Sequence, residues 1–311
     1  VNEASAADTV SEGESDASGN RVDESQSAGG DDALPVVVER GAAEKALQSN
    51  SYLQPRANTG PDDGQLEQFR ESNWKEAVDL RSDHAAIARQ YLAYRKIPTL
   101  RALQDVRFHP KLLHVSEDRE GQKVKRHYPA IVSAVRAPDG EMVSVHRTYL
   151  RRRRGKFKTD KKMMALPSNK TITGAAIRMV PATGNILGVA EGLETAASAY
   201  RATGIPVWAT ISAHGLETVV IPEGVDTVLV WADKDKSLRG EQAAEVLTDR
   251  LQPQGIRVIT LVPSVPIPKG EKSVDWNDVL IHQGLFGFPR RNELLRYAER
   301  PEQPRIEQGI A

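Results

Sequence analysis

Val225-Asp226-Thr227-Val228-Leu229-Val230-Trp231-Ala232-Asp233-Lys234-Asp235 is the stretch whose reading decides the fold. Its apolar run is rich in β-branched residues and follows the turn-like Pro222-Glu223-Gly224, which predicts a buried strand of a parallel sheet. The run stops at Asp233-Lys234-Asp235. Side chains two apart on an extended chain share a face, so both carboxylates are expected to project from the strand's C-terminal edge. Open α/β sheets place ligands along that edge. Neighbouring carboxylates repel, and a hard divalent cation such as Mg²⁺ relieves the cost. Aspartates after a strand also serve as turn formers, so Asp-x-Asp alone leaves both readings open.

A second short apolar run, Asn185–Ala190, ends in Glu191-Gly192 and leads into a helical stretch, Leu193–Arg201. Its apolar positions Leu193, Ala196, Ala197 and Tyr200 have helical spacing. Glu191 thus becomes a third carboxylate at the same sheet edge. The order strand–Glu-Gly–helix, strand, strand–Asp-x-Asp–helix is a βαβ-type series.

This order resembles the Toprim domain shared by bacterial-type primases, type IA and type II topoisomerases and some nucleases. The likeness covers roughly residues 185–280. Tyr128-Pro129-Ala130-Ile131-Val132, His146-Arg147-Thr148-Tyr149-Leu150, Pro206-Val207-Trp208-Ala209 and Asp275-Trp276-Asn277-Asp278-Val279-Leu280 extend it to about residues 75–285, and look like the Toprim primases of phages, plasmids and other mobile elements. The resemblance implies an α/β protein: a Toprim-like, Rossmann-type domain with a mostly parallel sheet, preceded by a smaller α+β domain. It implies a DNA primase core that joins ribonucleoside triphosphates on a single-stranded DNA template, acting alone or beside a separate replicative helicase. Asp233 and Asp235 would hold Mg²⁺ or Mn²⁺, and Glu191 would complete that site or help deprotonate the attacking hydroxyl. A Toprim nuclease and a non-catalytic single-strand-binding module remain the rival readings. Gly192, Gly240, Asp275, Asn277 and Asp278 are accessory candidates, with helix capping an equal alternative for Asp275 and Asn277.

Two features depart from the family pattern. Lys236-Ser237-Leu238-Arg239 intervene before Gly240, where many members place a glycine three residues after the second Asp. The chain also lacks cysteine, so no zinc site of the usual primase kind is expected. No G-x-x-x-x-G-K-[ST] phosphate loop occurs in the sequence.

The rest of the chain supplies the setting. Lys plus Arg and Asp plus Glu both total 42, so net charge does not choose a partner, but distribution does. Residues 1–32 hold nine Asp or Glu and a single Arg, and the segment 1–64 reads as disordered and acidic. A domain over 65–183 should open with a helix at Asn73–Tyr94 and continue as a β-rich unit with a hairpin turn at Pro138–Glu141. Between His146 and Lys170 ten Lys or Arg stand against one Asp, including Arg151, Arg152, Arg153, Arg154, Lys156 and Lys158. With Tyr149 and Phe157 as stacking aromatics, the run reads as a phosphate-tracking groove, or else as a solvated face. His146 and Arg147 belong to the family-like segment. For His146, a locally bonded strand histidine stands against a group facing the nucleic acid. The Toprim-like part spans 184–284, and 285–311 reads as a loosely packed tail around one helix. No basic n-region precedes an apolar run, and no run approaches the roughly 20 residues of a membrane span, so a cytoplasmic protein without a membrane partner is expected.

Overall fold

The computed structural model describes residues 62–97 and 103–299, so all but the last three residues of the segment read as disordered lie outside it. Those three belong to a helix rather than a linker. Asp62 is the N-cap of α1 (Asp63–Glu76), its carboxylate accepting from the Gln65 N–H at 2.7 Å. The single helix read over Asn73–Tyr94 is broken. After α1 the chain forms β1 (Val78–Asp79), a 3₁₀ turn over Asp83–Ala85, and only then α2 (Ala86–Tyr94). Asp79 causes the break: its carboxylate accepts from the Arg81 backbone at 2.7 Å and from the Arg81 guanidinium at 2.8 Å, turning the chain.

Four longer strands follow: β2 (Val106–Glu117), β3 (Lys123–Arg136), β4 (Met142–Arg153) and β5 (Lys156–Met163). With β1 they make an antiparallel sheet in sequence order. The β3–β4 turn lies where Pro138-Asp139-Gly140-Glu141 predicted it, with Gly140 at φ 92°. Both faces of β3 are covered. Ile131 and Val135 face the main core, while Ala130 and Val132 join a second cluster with Leu112, Val145 and Tyr149.

The second half begins with β6 (Ile186–Ala190), α3 (Leu193–Thr203), β7 (Val207–Ala209), α4 (Ala213–Thr218) and β8 (Thr227–Trp231). It continues with β9 (Lys234–Asp235), α5 (Arg239–Leu251), β10 (Arg257–Leu261), β11 (Ser273–Val274), α6 (Trp276–Gln283) and α7 (Arg291–Glu299). A parallel sheet of order β10-β8-β6-β7 forms its centre, and every residue of β6 and β8 is buried. That is why both strands read as continuous apolar runs. Gly188 is required here: a Cβ would sit 2.7 Å from Val207 Cγ2 and 2.9 Å from Trp231 Nε1.

The strand that follows Pro206 stops at Ala209, and His214-Gly215 lie in α4, where the Ser212 hydroxyl caps the helix by accepting from the Gly215 N–H at 3.1 Å. One expectation is corrected in this half. Within the described part of the stretch read as a loose tail, residues 285–299, packing against the core is found; 300–311 lie outside the described residues. Phe288 is buried against Trp276 and Trp231 at ring separations of 5.1 and 6.0 Å, and Leu294 is buried as well. The main core takes residues from both halves, Tyr91, Phe108 and Ile131 together with Leu193, Leu229 and Trp231.

Candidate active site

The β6–β8 register pairs Ala190 with Trp231, so the chains leave the two strands side by side as Glu191 and Ala232-Asp233. The Glu191 carboxylate passes close to Gly240 of α5: a Cβ there would lie 3.4 Å from Glu191 Oε1 and only 2.9 Å from the Asp233 carbonyl oxygen. Gly240 thus earns its place by letting α5 approach both acids. Gly192 is the N-cap of α3. One turn in, the Thr195 hydroxyl donates to Asp233 Oδ1 at 3.3 Å. Asp275 completes the group as N-cap of α6, in a reciprocal capping box with Asp278, and Arg95 reaches its carboxylate at 3.8 Å.

Burial and mutual repulsion set the electrostatics. Asp233 is pushed up to about 7, first by burial and then by the charges of Asp275 and Glu191, against the Thr195 hydrogen bond and Lys161. Burial also raises Glu191, opposed by Arg239 and reinforced by Asp235 and Glu217. Asp275 is raised by burial and by Asp278. Three acids are therefore held where their negative charge is poorly compensated.

Asp235 behaves differently from the expectation that it would project beside Asp233. The strand ends at Trp231, and Asp235 sits on the separate two-residue β9, which pairs with β11. Its Oδ1 accepts from the Ser237 N–H at 2.7 Å and the Ser237 hydroxyl at 2.5 Å, and its Oδ2 faces the Gly240 N–H at 3.5 Å. These bonds, with the Ser237 hydroxyl foremost, lower its pKa. Asp235 thereby closes the longer Lys236–Arg239 turn, in which Leu238 takes φ 59°. Among the described residues no group of three His, Cys, Asp or Glu is gathered as a metal site. The donor chemistry nevertheless suits a hard divalent cation, because Glu191 and Asp233 are oxygen donors whose ionised forms burial penalises, Asp233 also feeling the Glu191 charge.

Behind the acids lies a network that the sequence reading missed. Glu194 on α3 is buried, yet its carboxylate accepts from the Tyr91 hydroxyl at 2.6 Å and from Lys161 Nζ at 2.7 Å. Burial opposes its charge, but Lys161 and the two hydrogen bonds prevail and hold it at about 2. A signal existed: Glu194 stands three residues before Ala197, on the flank of the apolar stripe of α3. Asn277, also fully buried, donates to the Arg95 carbonyl and the Ser198 hydroxyl, each at 2.8 Å. It braces α6 against α2 and α3, a packing role.

The basic segment does not form one groove. β4 and β5 pair Arg151 with Lys158, Arg152 with Phe157 and Arg153 with Lys156, closed by a two-residue turn with Arg154 at φ 51° and Gly155 at φ 78°. Cross-strand partners share a face and successive pairs alternate. Arg152 and Phe157 therefore point one way, and Arg151, Arg153, Lys156 and Lys158 the other. Tyr149 is corrected as a stacking residue: it is 1% exposed, and its hydroxyl donates to the Leu113 carbonyl at 2.6 Å. His146 is buried too, and burial lowers it to about 4. Arg147 is turned inward, donating to the Met163 carbonyl at 2.7 Å.

Residues 186–285 match the family model of the Toprim domain, and residues 50–174 match a domain of unknown function (DUF7146). No curated protein matches the chain. Among solved structures, the DnaG catalytic core is 15% identical over 75% of this chain and 79% of its own, with a TM-score of 0.49. The E. coli primase catalytic core is 16% identical over 70% of this chain and 76% of its own, with a TM-score of 0.46. The RNA polymerase domain of Mycobacterium tuberculosis primase DnaG is 16% identical over 72% of this chain and 81% of its own, with a TM-score of 0.44.

Proposed function

From the premise that this chain carries a Toprim domain over residues 186–285, we propose that it is a DNA primase core that makes short RNA primers on single-stranded DNA. The observation that carries the reading is that Glu191 and Asp233 leave the paired strands β6 and β8 side by side at the C-terminal edge of a parallel sheet, with Asp233 forced up to about 7 by burial. Acids so placed favour a partner that brings positive charge. Glu191 and Asp233 would hold Mg²⁺ or Mn²⁺, and the ion, when bound, neutralises charge on the transferring phosphoryl group. The chain's own part is positional. Thr195 fixes the Asp233 carboxylate, Gly240 lets α5 close over Glu191, and the raised Glu191 can take up a proton from a nearby hydroxyl. The setting in a phage-like or plasmid-borne replication system is part of the same proposal.

The test incubates the protein with labelled nucleoside triphosphates, Mg²⁺ and single-stranded DNA, and sizes the products. Short new oligonucleotides support a primase, and shortened DNA a nuclease. One observation favours a third outcome, binding without chemistry: the Asp235 carboxylate is engaged by the Ser237 backbone and hydroxyl. DNA bound but unchanged, with Mn²⁺ as well as Mg²⁺, would establish that reading.

Two further results are expected. Mg²⁺ raises the thermal midpoint of the wild type by mass action, and Glu191→Gln with Asp233→Asn removes the gain. An equal shift in the double variant removes these residues from metal binding. Changing Arg151–Arg154 to Ala weakens single-strand binding across sequences and flattens its salt dependence, because phosphate contacts are lost. Unchanged affinity and slope would make the hairpin a solvated surface only.

A further inference from the structure

One aromatic side chain stands out on the surface between the basic hairpin and the acids. Tyr94, the last residue of α2, is 49% exposed, and its ring lies 5.6 Å from that of Phe157. Phe157 in turn packs edge-on against Tyr91 at 5.5 Å and carries the Arg152 guanidinium 5.9 Å from its ring centre. Arg152 is steadied by the Gln90 side chain of α2 at 3.1 Å. The inner side of the same helix is tied to the acids, Tyr91 to Glu194 at 2.6 Å and Arg95 to Asp275 at 3.8 Å.

The C-terminal turn of α2 thus has two aspects. Its inner side is held at the acid cluster by buried polar contacts. Its outer side presents a half-exposed tyrosine, whose ring meets that of Phe157, and Phe157 in turn carries the Arg152 guanidinium. Leaving so much of a tyrosine ring in water forgoes apolar burial. A flat π-face next to a cation is the combination that receives an unstacked base and its phosphate. The hairpin's alternation decides which arginine takes part: Arg152 shares the Phe157 face, whereas Arg153 lies on the other.

We propose that Tyr94, backed by Phe157 and flanked by Arg152, is a base-stacking step for single-stranded DNA on its way to the carboxylate site. The inference rests on the nucleic-acid part of the proposed function and adds the residue and face that engage the strand.

The experiment measures binding of a labelled oligo-dT to the full chain, by anisotropy in EDTA without nucleotides, so that catalysis plays no part. Tyr94→Leu is expected to bind about tenfold more weakly with an unchanged salt slope, since stacking rather than phosphate contact is lost. Tyr94→Trp should restore affinity, and its emission should be quenched by oligo-dT relative to the wild type. Inorganic polyphosphate, which has no bases, should bind the wild type and Tyr94→Leu equally. Arg152→Ala should weaken oligo-dT binding and lower the salt slope by about one, while Arg153→Ala should do neither. Wild-type affinity in Tyr94→Leu, failure of Tyr94→Trp to restore it, or an equal loss with polyphosphate would each overturn the proposal. Tyr94-dependent binding without primer synthesis sinks only the primase reading. Synthesis with binding indifferent to Tyr94 sinks only this inference.

Discussion

Asp233→Ala is expected to abolish de novo primer synthesis and extension of a preformed primer together, each by more than about a hundredfold. Even outer partners of a metal ligand change activity by about 10–100-fold when removed, and Asp233 would be a direct ligand. The pairing of the two assays matters. De novo initiation requires choice of a start site, whereas extension bypasses it, so a defect in template recognition separates them and a defect in chemistry does not. The charge argument adds a second readout. Asp233 is buried beside Glu191 and Asp275, so its ionised form works against folding when no cation is present. Asp233→Asn should therefore raise the thermal midpoint of the metal-free protein at pH 8 while eliminating activity. Lower stability combined with lost activity would point to a packing role instead. Extension that survives Asp233→Ala would place the chemistry outside this sheet edge.

The parallel sheet was legible because its strands are buried on both faces and carry no alternation, so Ile186–Ala190 and Thr227–Trp231 are close to continuous apolar runs. Glu191 and Asp233 were legible for the same reason, as the first charges after those runs. Asp235 sits on a different element from the one the two-residue rule assumes, because that rule holds only while the chain stays on one strand. Here it leaves β8 at Trp231 and pairs elsewhere through Lys234-Asp235 and Ser273-Val274. The broken first helix failed on a local competition, in which the Asp79 side chain supplies hydrogen bonds that the helix would otherwise make. Tyr149 failed for a third reason. An aromatic in a basic run reads as surface, but strand register sends it into the cluster of Leu112, Ala130 and Val145. The Tyr91–Glu194–Lys161 contact joins residues from α2, β5 and α3, far apart in sequence, and only tertiary structure brings them together.

That contact supports the last prediction. Glu194→Ala leaves the buried Tyr91 hydroxyl without its acceptor and releases Lys161. Losing one partner of a fully buried ion pair costs about 3–5 kcal/mol. Lys161 is 45% exposed, so its ammonium can return to water, and the expected loss is about 2–3 kcal/mol, much of it the unmet hydroxyl. Glu194→Gln keeps an acceptor for Tyr91 and should cost less, about 1 kcal/mol. The two variants also differ from the wild type in pH response. Glu194 is held at about 2, below its ordinary 4.5, by Lys161 and Tyr91 against burial. Its folded form therefore binds fewer protons than the unfolded chain between those values. The stabilisation is fully present above pH 4.5 and disappears as pH falls toward 2. His146 and Asp275 also feel the Glu194 charge, so the gap between wild type and Glu194→Gln includes its effect on both groups. In urea unfolding between pH 7 and pH 3, the stability gap between them should be constant down to about pH 5 and then narrow. A gap that stays constant to pH 3 would mean that the Glu194 charge does not hold α2 and β5 to α3, and that Tyr91 is secured by packing alone.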